Sequence, residues 1–352
     1  MKVGLFADPH INVFRKSNSF LKYVDSAFKE FKEICTQYKV KEIIGCGDIF
    51  HTKSYVATDS LIFANQLIHE LSNIAHITLF AGNHDMIRYY DCSVNLLHNY
   101  LFFDNVRVIQ KEYETAIYQD CVFHFVPFNP DESRMLHTIQ SIVPDRDDYY
   151  RSHHVLFAHC GVNGFSYYTN HSNRDIIDDE SIISENEFKA FDRIFLGHYH
   201  GFQSKGNVTY ISSPFQSRFG DENSKHGFIV FDTDTMEFNF FETQSTPHFI
   251  TVEFTKENIK ELIKLKNQFI RLIVRKHLSR ELLSVIKTKL LENNEDVEYK
   301  FDIPVENNNF ATLEGFDNLK YTTTDELLQG YVNHIKDTID YDLETLLNII
   351  LR

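Results

Sequence analysis

Side chains able to hold a divalent cation fall just after five short apolar runs. Asp8 and His10 follow Val3-Gly4-Leu5-Phe6-Ala7, and Asp48 stands in Gly45-Cys46-Gly47-Asp48-Ile49-Phe50-His51, after Lys41-Glu42-Ile43-Ile44. Asn83, His84 and Asp85, in Gly82-Asn83-His84-Asp85, follow Ile77-Thr78-Leu79-Phe80, and His159 follows Val155-Leu156-Phe157-Ala158. His198 and His200, in Gly197-His198-Tyr199-His200, follow Arg193-Ile194-Phe195-Leu196. Mixed nitrogen and oxygen donors suit divalent cations. A carboxylate has two oxygens, so Asp48 can bridge two of them. A single His after a strand is ordinarily a hydrogen-bonded loop residue, and a single Asp after Gly a turn former. Five successive strand ends that all finish in donor chemistry point instead to one assembled centre.

For these donors to meet, the apolar runs must be neighbouring strands whose carboxyl ends share an edge, which is where open α/β sheets place their chemistry. Glycines on both sides of Cys46 let the chain turn sharply into Asp48. Between the first strands, Phe20, Tyr23, Val24, Ala27, Phe28, Phe31 and Ile34 recur at helical spacing, as do Leu61, Ile62, Ala64, Leu67, Ile68 and Leu71. The resulting β-α-β-α-β order predicts right-handed crossovers into a parallel sheet. Shorter strands are expected at 106–109, 115–118 and 122–126 and a helix at 131–142, with 145–151 and 170–179 as polar surface loops. Alternating strands at 208–212, 227–232 and 237–242 predict an antiparallel second layer. Pro247 marks a boundary, after which strand, helix, strand, helix and strand within 249–303 read as a small α/β cap. A polar stretch, 306–324, leads to a final amphipathic helix over 325–351. Three domains are expected: 1–246 as the catalytic domain, 247–305 as the cap, and 306–352 as a polar linker with a C-terminal partner-binding helix.

The composition agrees with a globular protein. Of 352 residues, 43% are hydrophobic, enough for a real core, and the 24% charged is ordinary. No apolar run approaches the roughly 20 residues of a membrane helix, and the chain enters a strand without a basic and apolar leader, so a soluble, unexported protein is expected. The five cysteines are scattered without C-x-x-C spacing, which suggests neither a disulfide framework nor a structural zinc site and fits a reducing cytosol. Cys46 and Cys160 adjoin the donor segments and are expected to pack behind them. A net charge of −15 argues against a generic basic nucleic-acid binder. It leaves room for a phosphodiester substrate, because two cations would offset the carboxylates locally.

Asp-x-His, Gly-Asp-x-x-His, Gly-Asn-His-Asp, a later strand-terminal His and Gly-His-x-His, in that order, resemble the signature of the calcineurin-like metallophosphoesterases. Protein serine/threonine phosphatases carry Gly-Asp-x-Val-Asp-Arg-Gly and Asn-His-Glu; neither that Arg nor that Glu is present. Over residues 1–245 the chain resembles the SbcD-type DNA repair nucleases, subunits that work with an SMC-like coiled-coil ATPase, including those of large tailed phages. The likeness includes Phe157-Ala158-His159-Cys160-Gly161-Val162-Asn163-Gly164. It also includes Tyr210-Ile211-Ser212-Ser213-Pro214-Phe215-Gln216-Ser217-Arg218-Phe219-Gly220-Asp221, where Ser212 replaces a usual Gly.

The resemblance implies an α/β fold with a calcineurin-like β-sandwich core flanked by helices. It implies two divalent metals, one held by Asp8, His10, Asp48 and His200 and the other by Asp48, Asn83, His159 and His198. Mn²⁺ is the first expectation, with Mg²⁺, Fe or Zn²⁺ as alternatives. It further implies His84 as general acid toward the leaving 3′-oxygen, His51 as an aid in placing the phosphate and nucleic-acid strand, and Asp85 either as a carboxylate orienting His84 or as a turn former or helix N-cap. Activity is expected as a DNA exo- and endonuclease in end processing, recombination and repair. Expected partners are DNA and an SbcC-like ATPase, with a homodimer allowed and no membrane, in the cytoplasm, or the host cytoplasm if phage-encoded. The alternatives are a small-molecule phosphodiesterase or nucleotidase, and a non-enzymatic scaffold, which would have no need of the intact donor set. Tyr89-Tyr90 and Tyr167-Tyr168 could stack on unpaired bases, and Tyr199 is expected to pack.

Overall fold

The computed structural model describes residues 1–302 apart from 12–19, 53–54, 89–90, 119–120, 143–152, 168–175, 256, 276–277 and 279. The expected terminal helix, the linker before it, and Tyr89, Tyr90 and Tyr168 lie outside the described residues. Two compact units are present, Met1–Thr246 and Pro247–Arg352.

The first unit is a sandwich of two six-stranded sheets. In one, Lys2–Phe6, Glu42–Cys46, His76–Phe80 and Val106–Val108 run parallel, joined in part by the helices Leu21–Tyr38 and Thr58–Ser72. In the other, Cys121–Val126, His153–His159, Arg193–Gly197 and Val208–Tyr210 run parallel, with Glu114–Tyr118 and Gln203–Lys205 as antiparallel edges. The alternation of each strand settles which sheet face meets the other layer. Val3, Leu5, Ile44 and Phe80 of the first sheet meet Phe123, Phe125, Phe157 and Phe195 of the second in one buried cluster. Phe125, Phe157 and Phe195 stack in sequence at 5.5 and 5.7 Å. The outer face of the first sheet is covered by Leu21–Tyr38, whose Phe28 and Phe31 pack on Phe6 and Phe228. That helix ends where Lys39 turns left-handed at φ 54° and its N–H reaches the carbonyls of Cys35 and Thr36.

The strands beyond Gly-His-x-His do not form one antiparallel layer as expected. Val208–Tyr210 joins the second sheet, parallel to Arg193–Gly197, whereas the hairpin Gly227–Asp232 and Glu237–Glu242 returns to the first sheet beside Lys2–Phe6. The reason is burial on both faces. Gly227–Asp232 is a continuous apolar run whose Ile229 and Phe231 enter the sandwich while Phe228 packs under the helix, and only a position inside the first sheet covers both sides.

In the second unit, His248–Glu253, Gln268–Val274 and Asp296–Phe301 form an all-parallel sheet in that order, with helices Ile259–Leu262 and Arg280–Leu291. Ile270, Leu272, Leu282, Ile286 and Val297 are among the residues of its own core. Among the described residues, no helix is long and apolar enough to cross a membrane. Cys35, Cys46, Cys121 and Cys160 are buried.

Candidate metal centre

The donors sit at or just past the carboxyl ends of five strands, and two sheets contribute. Asp8, His10, Asp48 and Asn83 come from the first sheet, and His159, His198 and His200 from the second. Beyond the sheet the first two loops continue as a ladder. Asp8 N–H donates to the Gly47 carbonyl at 3.1 Å, His10 N–H to Asp48 at 3.1 Å, and His51 N–H to Ile11 at 3.0 Å. Asp8, His10, Asp48 and His198 hold positive φ of 52°, 44°, 53° and 104°, conformations that side-chain-bearing residues adopt only where the surroundings impose them. Close approach also requires Gly82 and Gly197. A Cβ on the first would stand 2.2 Å from Asp48 Oδ1, and on the second 2.2 Å from the Cys46 carbonyl.

Asp48 occupies the middle of the cluster. Its Oδ1 accepts the His84 N–H at 2.7 Å, and its Oδ2 lies 3.7 Å from His10 Nε2 on one side and 3.5 Å from His159 Nε2 on the other. On the His10 side, His10 Nε2 and His200 Nε2 are 3.0 Å apart, and both can share a cation with Asp8. On the His159 side, Asn83 Oδ1 faces His159 Nε2 and His198 Nδ1, each at 3.1 Å. His159 Nδ1–H donates to the Cys46 carbonyl at 2.9 Å, which orients the ring and leaves Nε2 toward the cluster. Cys46 therefore contributes its backbone to the site while its thiol is buried.

Burial and charge divide these groups. Burial drives His198 down to about 3 and His200 to about 4, and lowers His10 as well, so these imidazoles stay neutral and keep a lone pair to offer. His159 goes the other way: burial opposes its charge, but the Asp48 carboxylate beside it raises it to about 9. Asp48 itself, which burial alone would raise, is held far below the usual carboxylate range by His159 and His10. Asp8 is pushed up to about 8, first by burial and further by Asp48.

His84 and His51 lie at the edge of the cluster, half-buried, with rings stacked at 5.2 Å, and His84 meets His10 edge-on at 4.8 Å. The partner of His84 Nδ1 is the His51 carbonyl at 2.6 Å. Asp85 does not fill the orienting role considered for it. Its carboxylate is fully buried and accepts the N–H groups of Phe50 and Gly82, both at 3.0 Å, and so ties the Asp48 loop to the Asn83 loop. Burial and the nearby Asp48 charge raise it to about 7. Tyr199 packs on Tyr210 at 4.7 Å and donates its hydroxyl to Asp178. Tyr167 is 38% exposed and stacks on Tyr199 at 6.0 Å. Phe128 went unnoticed in the sequence although its ring lies 6.2 Å from His159 and 6.3 Å from His198. The signal that could have found it is Pro127-Phe128-Asn129-Pro130, an aromatic held between two prolines.

These donors fit divalent cations. His10 Nε2 and His200 Nε2, on imidazoles that burial keeps neutral, face each other at 3.0 Å, and Asn83 Oδ1, His159 Nε2 and His198 Nδ1 converge on the other side. Such crowding of acceptors is unfavourable until a cation satisfies them. Asp8, His10, His200 and Asp48 would hold one ion, and Asn83, His159, His198 and Asp48 a second.

Residues 1–202 match the calcineurin-like phosphoesterase family. The chain is 25% identical to "Exonuclease subunit 1" of Enterobacteria phage T4, covering 99% of this chain and 96% of that protein. It is 21% identical to an uncharacterised protein of Acanthamoeba polyphaga mimivirus, over 87% of this chain and 22% of that one. Among solved structures, a dimetal phosphatase from Danio rerio is similar at 9% identity and a TM-score of 0.40, covering 65% of this chain and 91% of that one.

Proposed function

The chain belongs to the calcineurin-like phosphoesterase family, whose members are metal-dependent hydrolases, and on that premise we propose that it is a two-metal DNA nuclease subunit. The observation that carries this reading is the place of Asp48, one carboxylate oxygen facing a donor group from each side at 3.5 and 3.7 Å. Likeness along nearly the whole chain to a phage protein named as an exonuclease subunit supports DNA as the substrate and a second subunit as partner. That partner is read as an SMC-like coiled-coil ATPase, and the pair as acting in DNA end processing and repair. Residues 306–352 are assigned to docking it, and the 247–305 unit to capping the DNA.

Bound cations supply Lewis acidity toward the phosphoryl group and a nucleophile at neutral pH, and Mn²⁺ suits these mixed nitrogen and oxygen donors. The chain's own part is positioning and proton transfer. Asp48 holds the two donor groups in register, and its Oδ1 fixes the backbone of His84. His84, with Nδ1 committed to the His51 carbonyl, has Nε2 left to give a proton to the departing oxygen. Asp85 keeps the two loops at a constant separation.

The test is purified protein with Mn²⁺ on end-labelled duplex and single-stranded DNA beside bis-p-nitrophenyl phosphate. Turnover of the small ester with DNA left intact, even with the ATPase present, would sink the nuclease reading in favour of a small-molecule phosphodiesterase. Deleting 322–352 should leave hydrolysis of short single strands intact yet remove co-purification with the ATPase. Unchanged ATPase affinity would place the docking surface elsewhere.

A further inference from the structure

A cleft of about 630 Å³ opens beside the metal centre, between Ala81, the Ile109–Glu112 segment, residues 126–131 and the helix Glu132–Ser141. Its walls include Met86, Ile109, Val126 and Met135, each about 1% exposed. Lys111 and Arg134 stand at its exposed rim, Arg134 paired with Glu112 at 2.6 Å. No step of the mechanism above uses this space. Its boundary with the centre is Phe128, whose ring lies near parallel to His198 at 26° and edge-on to His159.

Phe128 is rigidly presented. Prolines flank its neighbourhood on both sides, its N–H donates to the Ala81 carbonyl at 3.0 Å, and three residues on Asp131 caps the helix through the Arg134 N–H at 3.1 Å. A fixed ring beside a phosphodiester centre loses little entropy when something stacks on it. The volume is within the range of small-ligand sites, part of the wall is apolar, and at the rim Lys111 and Arg134 stand together with Glu112 and Asp131. Met86 and Met135 can conform to rings of different outline.

We propose that this cleft seats an unpaired nucleobase adjacent to the scissile phosphodiester, stacked on Phe128, so that the enzyme reads single-stranded character without reading sequence. The proposal rests on the phosphodiesterase reading and names the substrate feature that the same site would recognise. Base-on-aromatic stacking is sequence-tolerant because every base has a π face.

Two measurements on the full-length protein test it. In the first, without metal, a short thymidylate strand carrying one 2-aminopurine is titrated with protein, since stacking quenches that base. Wild type and Phe128→Trp should quench, while Phe128→Leu, which keeps an apolar body against His198 but has no ring, and Thr138→Trp, which fills the cleft, should not. Equal quenching with unchanged midpoints in all four would overturn the proposal. In the second, with Mn²⁺, kcat/KM is compared for strands with and without an abasic site next to the cleaved bond. Loss of the base should cost wild type roughly 5- to 100-fold, and the Phe128→Leu and Thr138→Trp proteins far less. The same abasic penalty in every variant, or none in wild type, would refute the cleft while leaving the nuclease reading intact. Ring-dependent quenching with no hydrolysis of any phosphodiester would instead refute the nuclease reading and leave the cleft.

Discussion

Asp48→Asn should abolish hydrolysis of every phosphodiester while the fold survives, and the structure sets what is lost. The amide matches the carboxylate in shape and can still accept the His84 N–H through its oxygen, so the Asn83-His84 turn should stay in place. What disappears is one negative charge buried between His10 and His159. In metal-free protein that charge is the main reason His159 titrates near 9 rather than below its ordinary value of 6.5. Asp8 and the Cys46 carbonyl add to its effect on His159, and burial opposes it. Two divalent cations would lose more than a single imidazolium does. Changing a partner that only orients a metal ligand typically costs about 10- to 100-fold, so replacing the shared ligand should exceed about 100-fold in kcat/KM. The assay is hydrolysis of single-stranded DNA and of bis-p-nitrophenyl phosphate, with Mn²⁺ affinity by calorimetry and the His159 titration by NMR in chelator. Activity above a tenth of wild type, or a His159 titration that does not move, would refute the central place given to Asp48.

His84→Ser should leave Mn²⁺ binding near wild type but slow cleavage of DNA by about 10²–10⁴-fold, and much less for a nitrophenyl ester, which departs without a proton; equal losses on both would make His84 a ligand. Ser212 holds φ 91°, where a glycine is unstrained, and its Oγ accepts a Gly227 N–H that the Ser213 carbonyl also accepts. Ser212→Gly should therefore stabilise by about 1 kcal/mol in denaturant titration, and destabilisation of that size would show that the hydroxyl matters more than the backbone. His76 is raised above its ordinary value chiefly by its hydrogen bond to the buried Glu42, against burial. Its contribution is thus present below the unfolded value of about 6.5 and lost as pH rises through the folded one. His76→Gln should accordingly cost more stability at pH 6 than at pH 9, and equal losses at the two would contradict this.

Much of the architecture is written in local pattern. The parallel order of the first three strands follows from apolar runs separated by helices of 3.6 periodicity, because a buried parallel strand and an amphipathic helix each have a one-dimensional signature. The donors were visible for the same reason: each lies at the end of a strand or within four residues past it, so knowing the strands gives their edge. That likeness of pattern also set the family.

Contacts between distant segments were not visible in that way. The Gly227–Asp232 run reads the same whether it joins one sheet or the other, and only the need to cover both of its faces sends it beside Lys2–Phe6. Asp85 follows His84 in the chain, which invites pairing them, yet its carboxylate turns to the amides of Phe50 and Gly82 and a carbonyl from 33 positions upstream orients His84 instead. Phe128 belongs to no donor motif and comes beside His198 because Cys121–Val126, His153–His159 and Arg193–Gly197, distant in the chain, lie side by side and parallel in the second sheet. Sequence alone determined which residue types stand at the strand ends, since that depends on chain neighbours. Tertiary structure decided which atoms of those residues face one another, because distances of 3 Å between segments up to 190 positions apart depend on packing of the whole sandwich.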